Sequence, residues 1–247
     1  MCTPPTVPRD RIGLGEYGSS AAGAATPSIH VVCGPMFAGK TTELLRRIEE
    51  YESWGRRVAV LKSAKDNRYN GTVEVVSHDG LRRPCHAVTT LLSPNTRHGA
   101  DENTLSGPQT TSLVGWSGES AQDVLTSTLG LDTFDVVAVD EAQFFDDLVD
   151  FCLLAVEQWH KSVIVAGLDG DFKRRPFGQV LNLIPLADEV SKLHSRCGVE
   201  NCRARALFSL RTVSNAQLNL VGGTDVYLPV CRAHYVTLSK QQPPKEH

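Results

Sequence analysis

Four short stretches carry apolar residues without strict alternation: "IHVVC" (29–33), "RVAVLK" (57–62), "FDVVAVD" (134–140) and "SVIVAGLD" (162–169). Short runs rich in Val and Ile fit strands covered on both faces, as in a parallel sheet. Between them the period changes. After Lys40, the apolar positions Leu44, Leu45, Ile48 and Tyr51 fall on one helical face, and Gly55 stands where a C-terminal cap belongs. "DLVDFCLLAVEQW" gives a second helix ahead of the 162–169 strand. Strand–helix alternation predicts an α/β fold around a parallel sheet, whose ligands gather at the carboxyl ends of the strands.

Elsewhere the pattern fades. Residues 1–28 are rich in Pro, Gly, Ala, Ser and Thr and read as a disordered tail. Residues Ser93 to Ser120 form a polar stretch that cannot bury much surface, which predicts a disordered insertion, and 237–247 read as a second loose tail. The organised parts are then 29–192, the main domain, and 193–236, a smaller C-terminal one.

Bulk composition narrows the class. With 247 residues and 41% hydrophobic content the chain has enough apolar material for a core. A net charge of -3 argues against non-specific nucleic-acid binding, and no apolar run reaches the ~18 residues that a membrane span needs. The N-terminal segment lacks the continuous apolar stretch of a secretory signal. Arg9 and Arg11 suggest a transit peptide, but Asp10 and Glu16 oppose it, so a cytoplasmic location is expected. Seven cysteines, an odd number, fit reduced thiols or a metal site better than a disulfide framework.

The first strand feeds into Gly34-Pro35-Met36-Phe37-Ala38-Gly39-Lys40-Thr41. Glycines here let successive N–H groups point inward, and the following helix adds its positive end, so the segment suits a phosphate. Lys40 is placed for the β- and γ-phosphates of a nucleotide and Thr41 for Mg²⁺. A nucleotide–Mg²⁺ site also needs a carboxylate at a neighbouring strand tip. Asp140 meets that need, and Glu141 beside it suits the acceptance of a proton from an attacking hydroxyl. Asp-Glu-Ala-Gln also matches the second motif of helicases, where the glutamate orients water. A helicase normally needs two such domains, and only about 80 residues follow the 162–169 strand.

Cys197, Cys202, Cys231 and His234 form two close pairs separated by a longer loop. Three thiolates and an imidazole suit a closed tetrahedral Zn²⁺ site of structural type; two unrelated pairs or a disulfide are the alternatives. Cys33, Cys85 and Cys152 lie in or beside apolar runs and read as core residues. "KRRPFG" reads either as phosphate-side charge or as a solvated turn.

Taken together, "GPMFAGKTTELLRR", "KSAKDNRY", "SHD", "DEAQFF", "LDGDFKRRPFGQVLNLIPLA" and "VGGTDVYLPVCRAHY" resemble the type II, zinc-containing, cytosolic thymidine kinases. The matching stretches run through most of residues 29–236 outside the insertion. The resemblance implies a RecA-like P-loop sheet with a small zinc-bound lid domain, and transfer of the γ-phosphate of ATP to the 5′-hydroxyl of thymidine or deoxyuridine with Mg²⁺. It places Gly34 to Thr41, Asp66, Asn67, Arg68, Asp140, Glu141, Ala142 and Gln143 on the ATP side, with Glu141 as general base. Met36, Phe144, Leu168, Phe172 and Phe177 resemble the thymine pocket. Leu218, Asn219, Leu220, Val221, Gly222 and Tyr227 match the lid over the base. It further implies a homotetramer and feedback inhibition by dTTP, with no nucleic-acid or membrane partner. The chain departs from the commoner family pattern at Ala38, often serine, in the wide Cys197–Cys202 spacing, and at His234, where some members have cysteine.

Overall fold

The computed structural model describes residues 26–65, 74–77, 80–92, 133–213, 223 and 225–240. Six parallel strands make the main sheet: β1 (Ile29–Gly34), β2 (Val58–Ser63), β5 (His86–Val88), β6 (Val136–Asp140), β7 (Ser162–Leu168) and β8 (Glu189–Lys192). Their spatial order is β5-β2-β6-β7-β1-β8. The four predicted apolar runs are the four central strands, and β7 separates β1 from β6. A short hairpin, β3 (Glu74–Val76) with β4 (Arg82–Pro84), lies outside this sheet.

Successive strand residues face opposite sides, and both sides are covered. Val32, Val60, Ala138, Ile164 and Ala166 pack with Leu44, Leu45 and Ile48 of α1 (Lys40–Ser53). On the other face Val31, Cys33, Leu61, Val137, Val139, Val163 and Val165 meet Leu148, Phe151 and Cys152 of α2 (Leu148–Leu153). This double coverage explains why the strands read as continuous apolar runs. Cys33, Cys85 and Cys152 are all buried.

At the end of α1, Gly55 N–H donates to Glu52 (2.8 Å) and Arg56 N–H to Tyr51 (3.1 Å), the paired bonds of a Schellman cap. The second predicted helix is only partly α-helical. It widens into a π-helical turn over Leu154–Gln158, where Trp159 N–H reaches the Leu154 carbonyl at 3.0 Å. No hydrophobic periodicity distinguishes that widening.

Arg47, buried on α1, donates to Glu43 (2.9 Å), to both Glu189 oxygens (2.5 and 3.1 Å) and to Ser191 (3.0 Å). It therefore bolts α1, which begins at the candidate phosphate loop, to the edge strand β8.

The small C-terminal lobe contains β9 (Ser195–Arg196) paired with β10 (Arg205–Ala206), then β11 (Phe208–Arg211) paired with β12 (Tyr227–Val230). It ends in α3 (Arg232–Ser239), which continues three residues into the stretch read as a tail. The reason is packing: Tyr235 and Leu238 both join the lobe's apolar cluster, so the last turn has something to bury. Residues 1–25, 93–132 and 241–247, which hold most of both predicted tails and the whole predicted insertion, lie outside the described residues. Among the described residues, no helix is long and apolar enough to cross a membrane.

Candidate active site

β1 delivers its last residue, Gly34, directly beside β8's continuation. A Cβ there would sit 2.6 Å from the Leu193 carbonyl oxygen, so no side chain fits. The loop then folds back on itself. Phe37 adopts a left-handed φ of 61°, and the Lys40 ammonium donates to the Pro35 carbonyl at 2.8 Å. A non-glycine residue held in that region costs about 1–3 kcal/mol, which the surrounding contacts must offset. Helix α1 starts at Lys40, with Glu43 N–H bonded to the Gly39 carbonyl at 2.9 Å, so the loop opens onto the helix's positive end.

The acidic residues come from β6. The Thr41 hydroxyl, on α1, donates to Asp140 Oδ2 at 3.3 Å, although β7 separates β6 from β1, the strand that leads to the loop. Glu141 follows with φ of 51°, another left-handed non-glycine, and starts a 3₁₀ turn over Ala142–Phe144. Its carboxylate Oε2 accepts from Gln143 Nε2 at 2.6 Å. Gln143 Oε1 in turn accepts from Leu168 N–H at 2.9 Å, at the tip of β7. Ala142 and Gln143 are 0% and 3% exposed, so the first lies in the core and the second points its amide inward.

An aromatic wall follows. The Phe144 and Phe177 rings meet edge to face with centroids 5.7 Å apart. Phe177 belongs to a turn built on the buried Asp171, whose carboxylate accepts from the N–H groups of Lys173 (2.8 Å) and Arg175 (2.9 Å) and from Arg175 Nε (2.9 Å). Lys173, Arg174 and Arg175 are exposed, and Arg174 stacks over Tyr235, so "KRRPFG" is a turn that docks on the small lobe. The Tyr235 hydroxyl donates to the Phe172 carbonyl at 2.7 Å, fixing the same contact. Between the lobes lies Arg211, only 2% exposed, with its guanidinium 3.8 Å from the Phe172 ring centre and donating to the Tyr227 hydroxyl at 2.8 Å. One buried cation thus links Phe172, which resembles a thymine-pocket residue, to Tyr227, which matches the lid.

The four candidate metal ligands converge in the small lobe. Their ligand atoms all lie within 4.8 Å of one another, with His234 Nδ1 3.4 Å from Cys197 Sγ and 3.3 Å from Cys231 Sγ. A tetrahedral zinc with S and N ligands places donor atoms roughly 3.5–3.8 Å apart, so the set fits that ion. The fold explains the convergence. Cys202 sits in the β9–β10 turn, while Cys231 caps α3 and places His234 on its first turn. Burial raises the Cys197 thiol, but the N–H groups of Val199 and Cys231 and the His234 ring outweigh it and hold it at about 7. That thiol is therefore readily ionised, as metal ligation requires.

Comparison with known proteins agrees with this geometry. The family model described as thymidine kinase matches residues 27–105 and 94–235. The chain belongs to the thymidine kinase family. A rice (Oryza sativa subsp. japonica) protein named Thymidine kinase is 48% identical over 224 residues, covering 89% of this chain and 71% of its own. Thymidine kinase a of Arabidopsis thaliana is 43% identical over 223 residues, 90% of this chain and 81% of its own. The cytosolic thymidine kinase of Homo sapiens is 35% identical over 215 residues, 87% of this chain and 76% of its own.

Of the residues that thymidine kinase resemblance singled out, Asp66, Asn67, Arg68 and Leu218 to Gly222 lie outside the described residues. Two buried polar residues beside the site are marked by no sequence motif. Ser209, 5% exposed on β11, accepts a hydrogen bond from Met36 N–H at 2.9 Å and so ties the small lobe to the phosphate loop. Arg211 is the other. Neither stands in a motif: "FSLR" alternates apolar and polar residues, a pattern that points Ser209 and Arg211 to solvent, whereas both are buried.

Proposed function

We propose that this thymidine kinase family member transfers the γ-phosphoryl group of ATP to the 5′-hydroxyl of thymidine, or of deoxyuridine, giving the nucleoside monophosphate and ADP. The observation that carries the reading is the Thr41–Asp140 hydrogen bond, which brings the start of α1 to the end of β6, where Glu141 follows with its carboxylate bonded to Gln143. The 5′-oxygen forms a bond to the γ-phosphorus as the bond from that phosphorus to the β–γ bridging oxygen breaks. The bridging oxygen keeps the electron pair and leaves on ADP. Glu141 takes the hydroxyl proton, a role typically worth ~10²–10⁴ in rate.

The loop's N–H groups and Lys40 bind the triphosphate, and Lys40 exchanges the Pro35 carbonyl for phosphate oxygens. Thr41 and Asp140 are the residues that would hold Mg²⁺, which supplies charge neutralisation for the β- and γ-phosphate oxygens. Arg68 is assigned to the same developing charge. Met36, Leu168, Phe172 and Phe177 would enclose the pyrimidine, with Leu218 to Gly222 and Tyr227 closing over it, since a flat base suits apolar walls with a few polar groups. Cys197, Cys202, Cys231 and His234 would hold a structural zinc that crosslinks the lobe. A cytoplasmic homotetramer inhibited by dTTP completes the proposal.

The test is to incubate the protein with labelled ATP, Mg²⁺ and a panel of nucleosides and to look for a labelled monophosphate. Thymidine monophosphate is the expected product, and Glu141→Gln is expected to bind ATP yet turn over at least ~10²-fold more slowly. Nucleic-acid-stimulated ATP hydrolysis with no labelled nucleotide product would replace this reading with a motor.

A further inference from the structure

Gln143 carries no assignment beyond the nucleotide side of the site, yet its side chain is turned into the protein. It is 3% exposed, and both ends of its amide are bonded to protein groups. The two ends are not interchangeable. Leu168 N–H only donates, so it fixes Oε1 on its side and turns the NH₂ toward the Glu141 carboxylate. A chain of donors therefore runs from the tip of β7 through Gln143 to Glu141 Oε2.

The backbone is fixed just as firmly. A Cβ on Gly178, whose φ is 60°, would lie 2.2 Å from the Gln143 carbonyl oxygen. One on Gly167 would lie 2.8 Å from Val180 and 3.1 Å from Gln143 Oε1. Both glycines leave room for Gln143 to settle into β7's end. That anchorage braces the 3₁₀ turn that Glu141 opens in its left-handed conformation.

We propose that Gln143 is a positioning residue for Glu141, tethering its carboxylate to the tip of β7. The inference rests on Glu141 as the proton acceptor. Proton transfer needs the acceptor within hydrogen-bonding reach of the hydroxyl, and a misplacement of about 1 Å can cost roughly 10²-fold. Gln143 then acts on the chemical step and leaves substrate binding alone.

Gln143→Met keeps most of the volume and removes both bonds. Gln143→Glu keeps an acceptor for Leu168 N–H but sets a carboxylate against Glu141. Both are expected to lower kcat by roughly 10–100-fold while KM for ATP and for thymidine changes less than about twofold. In a Glu141→Gln background, Gln143→Met is expected to produce no further loss in single-turnover rate. The wild-type fold supplies an arm independent of substitution at 143. The Gln143 side-chain amide NMR signal is expected to shift and exchange faster with solvent in Glu141→Gln. Full kcat in Gln143→Met or Gln143→Glu, a raised KM for ATP with kcat kept, or an amide signal indifferent to Glu141→Gln would each overturn the proposal. Full turnover by Glu141→Gln itself would instead remove the acceptor reading on which it rests.

Discussion

The main-chain N–H of Met36 donates to the Ser209 hydroxyl across 2.9 Å, joining two residues 173 positions apart. One lies in the phosphate loop and the other in the small lobe, so the two halves of the site share a strut. Ser209→Ala leaves a partly buried donor without this acceptor, a loss of about 1–3 kcal/mol. The variant is expected to melt earlier and to show raised KM for both ATP and thymidine, while Ser209→Thr restores both values. Thermal unfolding with steady-state kinetics checks it, and an alanine variant that behaves as wild type would show that the strut carries no weight.

Asp140 is 5% exposed and accepts from Thr41 Oγ1 and from Glu141 N–H. Its replacement by Asn keeps the shape and removes the charge. The Mg²⁺ concentration giving half-maximal rate is expected to rise roughly 10–100-fold, with maximal rate partly recovered at high Mg²⁺. A Mg²⁺ titration of Asp140→Asn identical to wild type would exclude Asp140 from the metal's surroundings.

The Cys197, Cys202, Cys231 and His234 set makes a prediction that needs no kinetics. Elemental analysis is expected to give one zinc per chain. Stripping it with a chelator, or Cys231→Ser, is expected to lower the melting temperature by roughly 10 °C, as a loss of several kcal/mol does in a domain of this size. A metal-free chain with unchanged melting would leave the cluster without a structural role.

Glu43 gives a pH-dependent test. The Arg46 guanidinium holds its carboxyl at about 2, against burial that pushes it up, and Arg47 adds to the lowering. A carboxyl whose folded pKa lies below its unfolded value of 4.5 stabilises the fold fully above that value, and the benefit fades as pH falls toward 2. Its side chain is 22% exposed, so about 1 kcal/mol is the expected scale. Glu43→Gln is expected to be less stable than wild type at pH 7, with the gap nearly closed at about pH 2. Denaturant unfolding at both pH values decides it, and a gap of equal size at each would contradict the assignment.

What the sequence made legible follows from burial. β1, β2, β6 and β7 are sealed on both faces, and such strands advertise themselves as unbroken apolar runs. The edge strands β5 and β8, "HAV" and "EVSK", have one neighbour each and too few apolar residues to stand out. The Cys197, Cys202, Cys231 and His234 cluster was readable as a candidate metal site because ligation restricts residue type and spacing, and the fold brings the four together. Arg211 was not, because its partners Phe172 and Tyr227 come from separate segments that only tertiary packing brings to it. Gln143 was visible as part of a motif, but nothing in the letters says which way its amide turns.

The crowding at Gly178 limits how this site could be redesigned. Any side chain there would collide with the carbonyl of Gln143, whose displacement drags the turn bearing Glu141. A library seeking altered nucleoside preference would find position 178 closed, whichever base is chosen as target. Position 177 is no freer, because its ring packs on Phe144, the last residue of that same turn.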